Sequence, residues 1–215
     1  MKTLSNSITG ESLELLRSII GKKLVSYSHE PFDVRFEPSN DFFMRLGIAC
    51  SNGAFILDNR VDWEDDWFCS PDYTPHMVFS KVKDESEFPS YGGFNIEGLE
   101  KYPVDEIVTD ITLVQDEVLV YRSSLPYETV LSTEGVIFVT EKRQYGFYKE
   151  NTWLNETVLE LKGHDVLSKL EGVKKHWDVF AKPYDGHIKR RIVHLLSNEE
   201  EATEEATIIG DVYDD

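Results

Sequence analysis

The sequence predicts an α+β protein with a mainly antiparallel β-sheet, a meander over residues 106–161. An N-terminal helix, a helix in the C-terminal half and an acidic disordered tail complete it. Three observations carry that reading. Leucine and isoleucine recur at helical spacing near the start, short alternating runs separated by turn residues fill the middle, and the last residues are polar and acidic enough to stay disordered in isolation. With 215 residues, 40% of them hydrophobic and 12% aromatic, the chain is long enough for a packed core.

The elements follow in order. Thr9 stands where a helix cap is expected, Glu11 falls in the first turn, and Leu13, Leu15, Leu16, Ile19 and Ile20 share one face before Gly21 ends the helix. Lys23 to His29 alternates in part and reads as a strand. Phe42 to Ala49 and Ala54 to Leu57 read as the arms of a hairpin turning at Asn52-Gly53, a pair that tolerates positive φ. Residues 61–98 are rich in acids, aromatics and proline and read as a long connection, with one short strand pattern at Met77 to Val82.

A regular series begins at Glu106. Its expected strands are Glu106 to Val114, Val118 to Tyr121, Thr129 to Leu131, Val136 to Thr140 and Tyr145 to Tyr148, with turns at Gln115-Asp116, Thr133-Glu134-Gly135 and Lys142-Arg143-Gln144. Thr157 to Leu161 adds one more. Val166, Leu167, Leu170, Val173 and Trp177 have helical spacing, weakened by Gly172, and predict the second helix. Ile188 to Leu196 fits either period. Residues 1–197 read as one domain, with a two-lobe split near 98–105 as the alternative, and residues 198–215 as a flexible acidic tail.

Charge is strongly segregated. Of a formal net −18, residues 61–134 hold 17 acidic and 4 basic side chains, residues 135–196 hold 8 acidic and 11 basic, and residues 197–215 hold 8 acidic and none basic. Such an excess of acid repels a nucleic acid backbone, which needs lysine and arginine to displace its cations, and disfavours anionic membranes. The start of the chain lacks the charged and apolar stretches of a signal peptide, and no run approaches a spanning helix. The expected location is the cytoplasm, with Cys50 and Cys69 as reduced structural thiols among apolar neighbours.

The densest cluster is Asp62-Trp63-Glu64-Asp65-Asp66-Trp67, followed by Asp72 and His76. As a cation loop it fits poorly, because Trp67 stands where such a loop needs glycine and Tyr73 where it needs glutamate. Asp62, Glu64, Asp66, Asp72 and His76 are the only metal candidates, and no cofactor is expected. Trp63, Glu64, Asp65, Asp66, Trp67 and Asp72 fit a partner-binding patch better, since indoles anchor interfaces while carboxylates attract a basic protein. Asp84 to Glu87 extends the same acidic face.

The remaining motifs are weak. Gly21-Lys22-Lys23 lacks the earlier glycine and the hydroxyl of a phosphate loop, Gly92-Gly93 lacks its spacing, and no histidine pair or Gly-x-Ser-x-Gly occurs. His176 and His187 read as surface or half-buried residues rather than ligands. Lys174-Lys175-His176-Trp177 and Lys189-Arg190-Arg191 leave three readings open: a solvated face, a polyanion site, or a dock for the acidic tail. The function expected is a non-enzymatic interaction module that binds, and in the manner of an immunity protein inhibits, a basic partner protein. A metal-dependent enzyme, or a subunit completing its sheet through an edge of the 106–148 meander, is the alternative.

Overall fold

A computed structural model of the chain describes residues 2–29, 42, 43, 45–60, 76–88, 99–149, 158–177, 180 and 182–210. The fold is α+β and sheet-dominated, with strands β1 (Lys2–Asn6), β2 (Lys23–His29), β3 (Phe42–Phe43), β4 (Arg45–Cys50), β5 (Gly53–Arg60), β6 (His76–Val82), β7 (Glu100–Arg122), β8 (Leu125–Thr140), β9 (Gln144–Lys149), β10 (Val158–Gly163), β11 (Tyr184–His194) and β12 (Glu199–Ile209). Helix α1 spans Gly10–Ile19 and α2 spans Val173–His176. All strand pairs are antiparallel except β1 with β8. The ladder runs β3-β10-β9-β8-β7-β2-β4-β5-β6, with β11 and β12 branching from β7.

The branch explains the shape. Strand β7 is 23 residues long, and its first part pairs with β2 while its second pairs with β8 on one side and β11 on the other. Between the two parts the register with β2 slips, and Asp105 takes φ 58°, a left-handed angle that aspartate tolerates better than most residues. The bulge re-aims the strand, so the β2-β4-β5-β6 layer folds over onto β8 and β9. Tyr27 of β2 meets Phe147 and Tyr145 of β9 edge-on, with ring centroids 5.5 and 6.0 Å apart.

Between these layers lies the main core, where Leu16 and Ile19 of α1 join Ile48, Phe55, Phe79, Ile111 and Phe138. Each such side chain, sealed from water, contributes about 1.5–3 kcal/mol relative to exposure. Cys50 is buried and free, and burial pushes its thiol up to about 12, in keeping with the inert structural role expected of it. Gly21, at φ 78°, follows α1, and the Thr9 hydroxyl makes no cap bond.

Several expectations need correction. Gln115-Asp116 and Thr133-Glu134-Gly135 are not turns but interior positions of β7 and β8, which pair with each other there across a register shift. The actual turn is Ser123-Ser124, at φ 50° and 64°, a mirror-type two-residue hairpin built without the usual asparagine and glycine. In the earlier hairpin Cys50 pairs with Gly53, so Ser51-Asn52 makes the turn, one residue before the expected pair. Instead of one helix from Val166 to Trp177 there is a 3-10 turn at Leu167–Lys169, then extended backbone at Leu170 and Gly172, then the single turn of α2.

The acidic tail is the largest correction. Residues 199–209, expected to be flexible, form β12, because a complementary basic strand lies beside them. Lys189 pairs in register with Glu205 and Arg190 with Glu204, which is the docking that the basic segment left open. Ile188 to Leu196 falls mostly within β11 and is therefore strand. Strand β7 runs unbroken across residues 100–105, where the two-lobe alternative placed its boundary.

Candidate functional site

Of the residues singled out for partner or metal binding, Asp62, Trp63, Glu64, Asp65, Asp66, Trp67 and Asp72 lie outside the described residues, as do Cys69 and Gly92-Gly93. His76 is the one described member of the metal set; it opens β6, opposite Arg60. No group of three or more metal-ligating side chains occurs among the described residues. At the other end of the acidic segment, Asp84 accepts from the Ser86 amide at 2.9 Å, and Glu85 pairs with Lys101 at 2.5 Å, both exposed. The Ser86 bonds hold the Asp84 carboxyl below its usual range.

The longest exposed acidic run among the described residues lies on β12. Its residues 199–205, Glu-Glu-Glu-Ala-Thr-Glu-Glu, are exposed without interruption. On its β11 side, Glu205 meets His187 Nε2 at 2.6 Å and Lys189 Nζ at 3.7 Å, and Glu200 meets Arg191 at 3.9 Å. Asn198, at φ 58°, makes the hairpin turn, and Arg17 Nη2 of α1 donates to its side-chain oxygen at 2.8 Å. At the far end the Gly210 amide donates to Asp185 at 3.0 Å. The strand is thus fixed at both ends.

Behind this surface is a sealed ionic network that the sequence reading missed. Arg190, on the inward side of β11 between Ile188 and Ile192, donates Nε to Asp116 Oδ1 at 2.8 Å and Nη2 to Oδ2 at 2.6 Å. Its third donor reaches the Glu171 carbonyl at 2.9 Å, and its guanidinium stacks 5.5 Å from the Tyr148 ring centroid. Trp177 Nε1 also donates to Asp116 Oδ2, at 2.6 Å. One register step away, Glu134 meets Lys149 Nζ at 3.3 Å and His176 Nε2 at 2.9 Å, and Lys149 also donates to Ser132 at 3.0 Å.

Burial pushes the Glu134 carboxyl up, but the Lys149 ammonium and the His176 hydrogen bond outweigh it and hold the group well below the usual carboxylate range. Gly135 makes room for the packing, since a Cβ there would stand 2.8 Å from Tyr148 Cδ2. His176 was expected near the surface and is instead buried, because α2 points it down into β8 and β9. The signal for Arg190 was present: it is the lone cation in the inward series Ile188, Arg190, Ile192. No such signal marked Glu134, whose flanking threonine and glycine resemble a turn.

A further carboxylate with its side chain sealed from water, Glu160 of β10, accepts from Tyr27 Oη and from Lys162 Nζ at 2.7 Å, with His29 Nε2 at 3.6 Å. The Tyr27, Tyr102 and His29 rings stack, and Lys162 Nζ stands 4.8 Å from the Tyr102 centroid. Burial pushes Glu160 up and the bonds from His29, Lys162 and Tyr27 bring it below its usual value; burial and Glu160 push the Tyr27 phenol far up. Both carboxylates are therefore ionised near neutral pH and turned inward on basic partners.

Part of the basic segment is likewise engaged. Arg190, His176 and Trp177 face the core, Arg191 pairs with Glu117, and Lys175 pairs with Glu171 at 2.5 Å. No helix among the described residues is long and apolar enough to cross a membrane. Comparison with protein-family models, with curated proteins and with solved structures returns no match, so function is argued from the residues alone.

Proposed function

We propose that this chain is a non-enzymatic cytoplasmic interaction protein whose acidic face binds a basic partner protein and blocks it, in the manner of an immunity protein. The carrying observation is where charge is left facing water. In the 174–191 segment His176 and Arg190 turn inward and Lys175, His187, Lys189 and Arg191 pair with carboxylates, leaving Lys174 and Lys182 exposed, while β12 holds seven consecutive exposed residues, five of them glutamate. A surface of one sign raises the on-rate of a partner of the other and disfavours competing polyanions. Trp63, Glu64, Asp65, Asp66, Trp67 and Asp72 are the proposed contact residues, with indoles as anchors and carboxylates steering approach.

The test is capture from native extract at low and at moderate salt, with wild-type protein and the Trp63→Ala/Trp67→Ala variant. A single stoichiometric basic protein, lost in the variant, supports the reading. A partner retained equally by both proteins removes the tryptophans from it. No specific partner for a well-folded bait rejects it.

A further inference from the structure

We infer that the outer edge of β12 is a strand-addition site for a basic, extended segment of a partner protein. This deepens the acidic-surface reading and rests on it. The ends of the sheet are treated differently. Along β6, helix α1 covers the edge: Ser12 Oγ donates to the Phe79 carbonyl at 2.7 Å and accepts from its amide at 3.2 Å. Beyond β10 lies β3, pairing at Val158 and Leu159. Strand β12 has β11 on one side, and among the described residues its other side carries no strand.

At 11 residues β12 is the longest described strand with a single strand neighbour, against seven for β6, five for β1 and two for β3. Alternate residues of an edge strand turn their amides and carbonyls away from the sheet, where an incoming strand completes the ladder. Residues 199–205 are exposed without interruption, although His187, Lys189 and Arg191 of β11 pair with Glu205 and Glu200 on one face. Two large apolar residues bracket the acidic stretch, Leu196 at 63% exposure and Ile209 at 71%.

Charge decides between occupants. A second copy of β12 would set glutamates against glutamates across the new ladder, and like charges directly opposite are destabilising. An occupant with lysine or arginine at alternate positions and apolar residues at its ends meets carboxylates along the middle and Leu196 and Ile209 at the flanks. Glu201 and Glu204 are exposed and available to it, with Glu204 Oε1 lying beside Gly172.

The probe is an alternating Lys-Thr peptide flanked by valines, titrated against the full chain by fluorescence anisotropy. Its control is the same peptide with alternate backbone amides N-methylated, which keeps the charge and removes the ladder bonds. We expect saturable binding with protection of β12 amides from hydrogen exchange, and roughly a tenfold loss on methylation. Glu201→Gln with Glu204→Gln, both exposed, is expected to weaken binding several-fold while leaving the fold intact by circular dichroism.

Equal binding of the methylated peptide overturns the edge yet leaves the acidic surface standing, since attraction by charge alone needs no ladder. Binding by neither peptide overturns the edge. So does concentration-dependent self-association that the same variant strengthens, which would assign the edge to a second copy. Failure of the acidic-surface reading shows itself separately, in the capture experiment.

Discussion

Helix α1 lies on the sheet through Leu16 and Ile19, both sealed among aliphatic and aromatic side chains, whereas α2 lies on it through His176 and Trp177, whose ring nitrogens reach buried carboxylates. Length accounts for the difference. Ten residues give α1 an apolar face wide enough to dock by burial, which is favourable but not directional. Four residues give α2 a narrower apolar face, Val173 with Trp177 at its end, and directed bonds to Glu134 and Asp116 add to that burial. One region is held mainly by area and the other by area together with buried ion pairs, and an ion pair fails abruptly when a single partner is removed.

The largest effect is expected at the α2 network. Glu134→Ala leaves Lys149 buried without its counter-charge and is expected to cost about 3–5 kcal/mol in urea unfolding. Glu134→Leu with Lys149→Met removes both charges and is expected to recover most of that loss. A double variant as unstable as the single would mean that packing, not pairing, holds this region. Leu16→Ala comes next, at about 2–5 kcal/mol from lost transfer energy and the cavity left behind. Its cost should not change with salt or with pH, in contrast to the network.

Acid sharpens the same contrast. The folded values of Glu134 and Glu160 lie below their usual 4.5, so the unfolded chain takes up these protons first as pH falls. Their contribution is complete above about pH 4.5 and is lost as pH falls through the folded values. Thermal midpoints should therefore drop below pH 4.5 in wild type and in Leu16→Ala alike, and less steeply in the Glu134→Leu/Lys149→Met variant. The smallest effect is Ser12→Ala, about 1 kcal/mol, from the bonds that join α1 to the β6 edge. Loss of protection at the Phe79 amide in hydrogen exchange would locate it.

How legible each part was follows from the range of the forces that made it. Helix α1, β2, β6 and the hairpin of β4 and β5 were readable because their apolar residues repeat at the period of the element that they form. Strands β7 and β8 were cut in two on paper because Gln115-Asp116 and Thr133-Glu134-Gly135 have the composition of turns. Their polar side chains point inward to partners remote in sequence: Asp116 to Arg190, and Glu134 to Lys149 and His176. The proposed contacts from Asp62 to Asp72 were chosen on composition and remain a proposal.

The sequence by itself determined the sheet-dominated class, the early helix, the inert buried Cys50 and the imbalance of charge. These depend on residue type and local period, which chain order carries directly. Only the tertiary structure decided that residues 199–209 are a strand, that His176 is buried, and that Arg190 is a core residue. Each of those outcomes requires a second group to arrive from elsewhere. An acidic segment is disordered alone and a strand beside Lys189 and Arg191, and a buried ion is prohibitive alone and stable beside its counter-charge.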